Sequence, residues 1–191
     1  MNRHFGIILK HYAPKKNKCA LLDEKLGRIT GIVMHDKLSA GTILQYELKQ
    51  KQQWYIMEQV EIIDMPFALA SHDMLFLHYI LEMCYHFLPE GSGQSRLYDL
   101  LIFMFKHQRF CLQQKKRVLC VMLALLDLYP EDAIVSSAYL YALAQEPLER
   151  MINAKIDVNV EKNISGWLYQ CVRVHTDAQQ FKTIHFLDEI R

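Results

Sequence analysis

No CxxC pair joins any of the five cysteines, Cys19, Cys84, Cys111, Cys120 and Cys171, and their number is odd. That scatter excludes a disulfide framework and the ligand spacing of a structural zinc site. Most of these thiols sit among apolar neighbours, where a reduced cysteine behaves as a small hydrophobe. The nine histidines form no HExxH or HxxxH, and His72, His78 and His86 recur at spacings of six and eight. Such spacings do not gather ligands on one helical face. Gly91-Ser-Gly-Gln-Ser lacks the Gly-Lys-Ser/Thr ending of a phosphate loop, and no serine stands in a Gly-x-Ser-x-Gly elbow. Nothing nominates a catalytic group, and the chain is expected to act without turnover and without a cofactor or metal.

Long hydrophobic runs are also lacking. The longest, Val118 to Leu126, is about half of what a membrane-spanning helix needs. The charged start followed by only Phe5 to Leu9 before Lys10 is no signal-peptide pattern. With reduced thiols, this predicts a soluble, cytoplasmic protein with no membrane partner.

Net charge is nearly absent too, at +1 over 191 residues, but its distribution is uneven. Up to Gln52 there are ten cations against four anions, a net +6, so the remainder carries −5. A basic first quarter on an acidic body points to a polyanion-binding face, or to a solvated lysine-rich sheet.

What is present is a change of periodicity at Pro66. Before it, five strand-type segments follow one another: Phe5 to Leu9, Cys19 to Leu22, Arg28 to Met34, Thr42 to Leu48 and Gln53 to Ile63. Leu44, Tyr46 and Leu48 alternate with Gln45 and Glu47, as a half-buried strand requires. Gly27 supplies the positive φ of a reverse turn between two strands. Five short strands at this spacing fit an OB-fold, and an SH3-like barrel nearly as well. After Pro66 the apolar spacing is helical: Ser71 is placed to cap a helix to about Leu88, with others over Ser95–Lys106, Lys115–Leu128, Asp132–Gln145, Pro147–Ala154, Ser165–His175 and Ala178–Ile190. The third, apolar on almost every side, belongs in the middle of a bundle. The fold class is therefore α+β: an N-terminal five-stranded OB-fold-like β-barrel over residues 1–65, followed by an all-α helical domain over residues 66–191.

In an OB-fold, the loop joining the first two strands is one of two that reach nucleic acid. Here that loop carries Lys15, Lys16 and Lys18. Lysines there neutralise phosphates, while Tyr12, Tyr46, Trp54 and Tyr55 offer stacking faces, unless those rings fill the barrel.

Three segments resemble the RecO family of bacterial recombination mediators and DNA-repair proteins. Gly6-Ile-Ile-Leu-Lys with Leu21-Leu-Asp-Glu-Lys-Leu-Gly-Arg-Ile is similar to its opening hairpin. Phe87-Leu-Pro-Glu-Gly, Leu97-Tyr-Asp-Leu-Leu and Leu125-Leu-Asp-Leu-Tyr-Pro-Glu resemble its first helices, and Val172-Arg-Val-His with Phe181-Lys-Thr-Ile-His-Phe-Leu resembles its closing motif. The resemblance implies single- and double-stranded DNA binding, strand annealing and help in loading the recombinase. It also implies two partners, a RecR-like protein and the C-terminal tail of single-stranded-DNA-binding protein. Candidate phosphate contacts are Lys10, Lys15, Lys16, Lys18, Arg28 and Lys37. The chain departs from the family twice. It lacks the four-cysteine zinc module of many members, and the basic loop after the third strand is reduced to Met34-His-Asp-Lys-Leu-Ser-Ala-Gly. Fewer phosphate contacts there predict weaker binding and a flatter salt dependence. The alternative is a non-enzymatic protein-interaction module on the same fold, with weak or no DNA affinity.

Overall fold

Burial alternates without a break along the strand Gly27–Val33, with Gly27, Ile29, Gly31 and Val33 buried and Arg28, Thr30 and Ile32 only partly so. Successive strand side chains point to opposite faces, so the first set faces the interior of a barrel and the second faces out. In the computed structural model this strand is the third of five: β1 (Arg3–His11), β2 (Lys18–Asp23), β3 (Gly27–Val33), β4 (Ile43–Lys51) and β5 (Trp54–Asp64). The structure describes residues 3–12, 17–35, 38–51, 54–128, 142–155, 158, 163–164, 166, 170, 181–183 and 185–189.

The strands close into a barrel in the order β1-β2-β3-β5-β4, with β4 returning to β1. Every pairing is antiparallel except β3 with β5. This is the OB-fold-like barrel expected from the strand pattern. Ile8, Cys19, Leu21, Ile29, Val33, Leu44, Tyr46 and Met57 fill it. Ile7, Ala20 and Leu22 face the other way yet are fully buried, because the helix α1 (Phe67–Phe87) packs on β1 and β2. A bulge between Ile8 and Lys10 shifts the β1–β2 register, so that Lys10 pairs with Ala20. One extra residue turns Lys10 from the inner face to the outer.

The β2–β3 turn is held by Asp23, which is completely buried. Its Oδ1 accepts the backbone N–H groups of Lys25 and Leu26, each at 2.8 Å. Its Oδ2 accepts the Tyr46 hydroxyl and lies 3.0 Å from His4 Nδ1. Four partners satisfy a carboxylate that would otherwise be costly to bury. Tyr46 is thereby a core residue rather than a stacking face, and burial beside this carboxylate pushes its phenol pKa up.

Helix α1 begins at Phe67, behind Pro66, and not at Ser71. The Ser71 hydroxyl instead donates back to the Ala68 carbonyl inside the helix, and the backbone leaves helical geometry two residues later, at Asp73. Helix α2 (Ser95–Phe105) follows. The linker between them crosses the β2–β3 turn. Gly27 has φ +73°, and a Cβ there would lie 1.7 Å from the Ser92 carbonyl oxygen. Gly91 N–H donates to the Arg28 carbonyl at 2.9 Å, and Glu90 forms a parallel bridge with Arg28. The linker thus covers the free edge of β3 before its pairing with β5 begins at Gly31.

By compactness the chain divides into Met1–Gln108 and Arg109–Arg191, so α1 and α2 go with the barrel, while the change from strand to helix lies at Pro66. In the second unit, α3 (Leu112–Leu125) is buried continuously from Val118 to Ala124. Arg117 donates to the Ile152 carbonyl of α4 (Leu148–Asn153), and Lys115 Nζ lies 5.5 Å from the ring of Phe186 in α5 (Phe186–Glu189). The expected helices Asp132–Gln145 and Ser165–His175 fall largely outside the described residues, although 142–145 are helical. Among the described residues no helix is long and apolar enough to cross a membrane.

Candidate nucleic-acid interface

The edge of β3 is covered at Arg28 by the linker and from Gly31 onward by β5, where Gly31 pairs with Tyr55. The stretch between them stays open. A groove of about 540 Å³ occupies this gap, lined by Tyr12, Lys18, Arg28, Ile29, Thr30, Trp54, Tyr55, Glu90 and Gly91. Its volume lies within the roughly 300–1,000 Å³ of ligand sites. Tyr12 leads into the loop after β1, Lys18 opens β2, and Trp54 opens β5 just after the β4–β5 turn. The groove therefore occupies the β2–β3 face between the two loops with which OB-folds take oligonucleotides and oligosaccharides.

Lys18 Nζ stands 4.2 Å from the Trp54 ring centroid and 5.1 Å from that of Tyr12. Trp54 remains 43% exposed despite this cover. An ammonium over an indole at an exposed site contributes about 0.5–1 kcal/mol. A base stacked on an aromatic ring is worth about 1–3 kcal/mol. The balance favours exchange: a base can take the indole face and leave the ammonium free for a phosphate.

Lys10 and Arg28 are arranged differently. Lys10 Nζ lies 4.2 Å and Arg28 Cζ 5.5 Å from the centroid of Tyr85, on α1. Arg28 Nη1 also donates to the Tyr85 carbonyl. The Tyr12 and Tyr85 hydroxyls are 3.1 Å apart, and burial, reinforced by this contact, raises the Tyr12 pKa. These two cations fasten α1 to the barrel beside the groove, and of the pair only Arg28 lines it. Lys15, Lys16 and Lys37 lie outside the described residues.

Glu90 was not among the residues the sequence singled out. It accepts a hydrogen bond from Thr30 Oγ1 at 2.6 Å and, among the described residues, is the one carboxylate lining the groove. Nor was Tyr85. Both come from the helical part of the sequence, more than fifty residues from the strands they meet, and no local motif marks them. Among the described residues no three His, Cys, Asp or Glu side chains gather closely enough to hold a metal ion. No protein-family model and no curated protein matches the sequence.

Proposed function

We propose that this protein binds DNA through the β2–β3 groove and acts, without enzymatic turnover, as a RecO-like mediator of recombinational repair. The observation that carries the DNA-binding part is the groove itself. It combines two cations, Lys18 and Arg28, with three aromatic rings on the face that OB-folds present to oligonucleotides. In this reading Lys18 takes a phosphate and Trp54 a base, and Lys15 and Lys16, which the sequence places in the same loop, add to the cations available to the DNA backbone. The repair role, with annealing, recombinase loading, a RecR-like partner and the tail of single-stranded-DNA-binding protein, rests on the RecO resemblance.

A second reading, a protein-interaction module on the same fold, is favoured by one observation. Lys10 and Arg28 are turned onto Tyr85, which lowers the number of cations free for phosphate. The same unit exposes apolar surface around a pocket of about 240 Å³ lined by Met65, Pro66, Phe67 and Met74, with Phe67 69% exposed.

Titration of a labelled single-stranded oligonucleotide at two salt concentrations separates the two readings. The DNA-binding reading expects affinity that falls with salt and drops at least tenfold when Lys15, Lys16 and Lys18 all become glutamate, since charge reversal replaces counterion release with repulsion. Binding unaffected by that triple change removes the groove from the interface. Absence of binding by the unaltered protein at low salt leaves the interaction module.

A further inference from the structure

The acid in the groove needs its own explanation. A carboxylate beside a phosphate path repels the ligand, yet Glu90 is fixed there by Thr30 and by its bridge to Arg28. Lys18, Arg28 and the tyrosine hydroxyls offer donors to a ligand, whereas an ionised carboxylate only accepts. Glu90 and Tyr55 register with β3 three residues apart, at Arg28 and Gly31, or about 10 Å along the strand. Trp54, next to Tyr55 in the chain, lines the same groove as Glu90, so a base lying on its ring and the carboxylate share one cavity.

We infer that Glu90 reads the edge of the base stacked on Trp54, accepting from an exocyclic amino group and so favouring amino-bearing bases over thymine. This deepens the nucleic-acid reading above and rests on it. Cytosine N4–H₂ is a donor that glutamate accepts. Thymine has no exocyclic amine, and its ring N–H is flanked by two carbonyl oxygens, which a carboxylate repels. Thr30 already donates to Oε1, which orients the carboxylate and leaves Oε2 for the base. Stacking alone is tolerant of base identity, so the selectivity falls to this one oxygen.

The test is anisotropy titration of equal-length oligodeoxycytidylate and oligothymidylate, at low salt and at mildly alkaline pH where cytosine is unprotonated. The unaltered protein and Glu90→Gln are compared. Gln retains a carbonyl oxygen for the Thr30 hydroxyl, so the linker keeps its place. The expected result is a preference for the cytosine strand of about fivefold, the low end for one base contact. In Glu90→Gln that preference falls toward parity, while thymidylate binds as well as before or better. An equal preference in both proteins, or a thymine preference in the unaltered one, overturns the inference and leaves DNA binding standing. If neither strand binds at low salt, this inference and the DNA-binding reading fall together. Trp54→Ala supplies the complementary measurement: it is expected to weaken both strands, and unchanged affinity removes the stacking platform on which the base reading depends.

Discussion

Lys18, the first residue of β2, holds its ammonium 4.2 Å over the ring of Trp54, the first residue of β5. The contact ties together the starts of two strands that are not neighbours in the barrel order. It also keeps a cation and a stacking face in reserve at one point. If DNA takes the indole, the ammonium moves to a phosphate and releases a counterion. Lys18→Gln is therefore expected to reduce the slope of log affinity against log salt by about 0.7, one single-strand phosphate contact. A slope identical to that of the unaltered protein would mean that Lys18 stays on Trp54 in the complex.

The barrel was legible from the sequence because period-two alternation in Thr42–Leu48 is a local signal, and Gly27 marks a local turn. The groove was only half legible. Tyr12, Lys18, Trp54 and Tyr55 belong to the strand ends and the loop that the pattern placed. Its other wall depends on the docking of Glu90 and Gly91 against Arg28, which no periodicity records. The bulge that turns Lys10 outward, and the Tyr85 ring that then receives it, are equally non-local. Ser71 illustrates the opposite error. A serine ahead of a helical pattern looks like a cap, but here the helix has already begun behind Pro66, and the hydroxyl bonds inside it.

Gly27 and Gly91 separate backbone conformation from packing. Both have positive φ, +73° and +75°, yet a Cβ at Gly27 meets the Ser92 carbonyl at 1.7 Å while one at Gly91 meets nothing within 4 Å. Gly91→Ala should lose only the left-handed strain, about 1 kcal/mol. Gly27→Ala must in addition push the linker off the turn, and overpacking of this kind adds about 1–3 kcal/mol. Urea denaturation of the two variants is expected to rank them in that order, with Gly27→Ala the worse by about 2 kcal/mol. Equal losses would show that the linker gives way freely. The same displacement moves Glu90, so a folded Gly27→Ala protein should also lose its preference for cytosine.

The end of α1 beside the groove should make stability depend on pH. His86 is half-buried, its ring edge-on to Tyr85 at 4.8 Å between centroids. Burial lowers its pKa most, followed by the positive charge of Lys10, with an opposing pull from Glu82 and a smaller further lowering by Arg28. The unfolded chain, with an ordinary histidine near 6.5, thus binds a proton at a pH where the folded protein still does not. Stability rises with pH wherever the unfolded state holds more protons. The contribution of neutral His86 is therefore complete above about pH 6.5 and is lost as pH falls toward the lower folded value. Urea midpoints measured from pH about 7.5 down to about 5.5 should fall more steeply for the unaltered protein than for His86→Gln, which has no proton to take up there. Parallel curves for the two proteins would place the acid sensitivity elsewhere. Lys10→Gln should leave the onset near pH about 6.5 in place but lessen the loss below it: with one neighbouring cation gone, the folded His86 pKa returns part of the way toward 6.5, and the slope in this window becomes shallower.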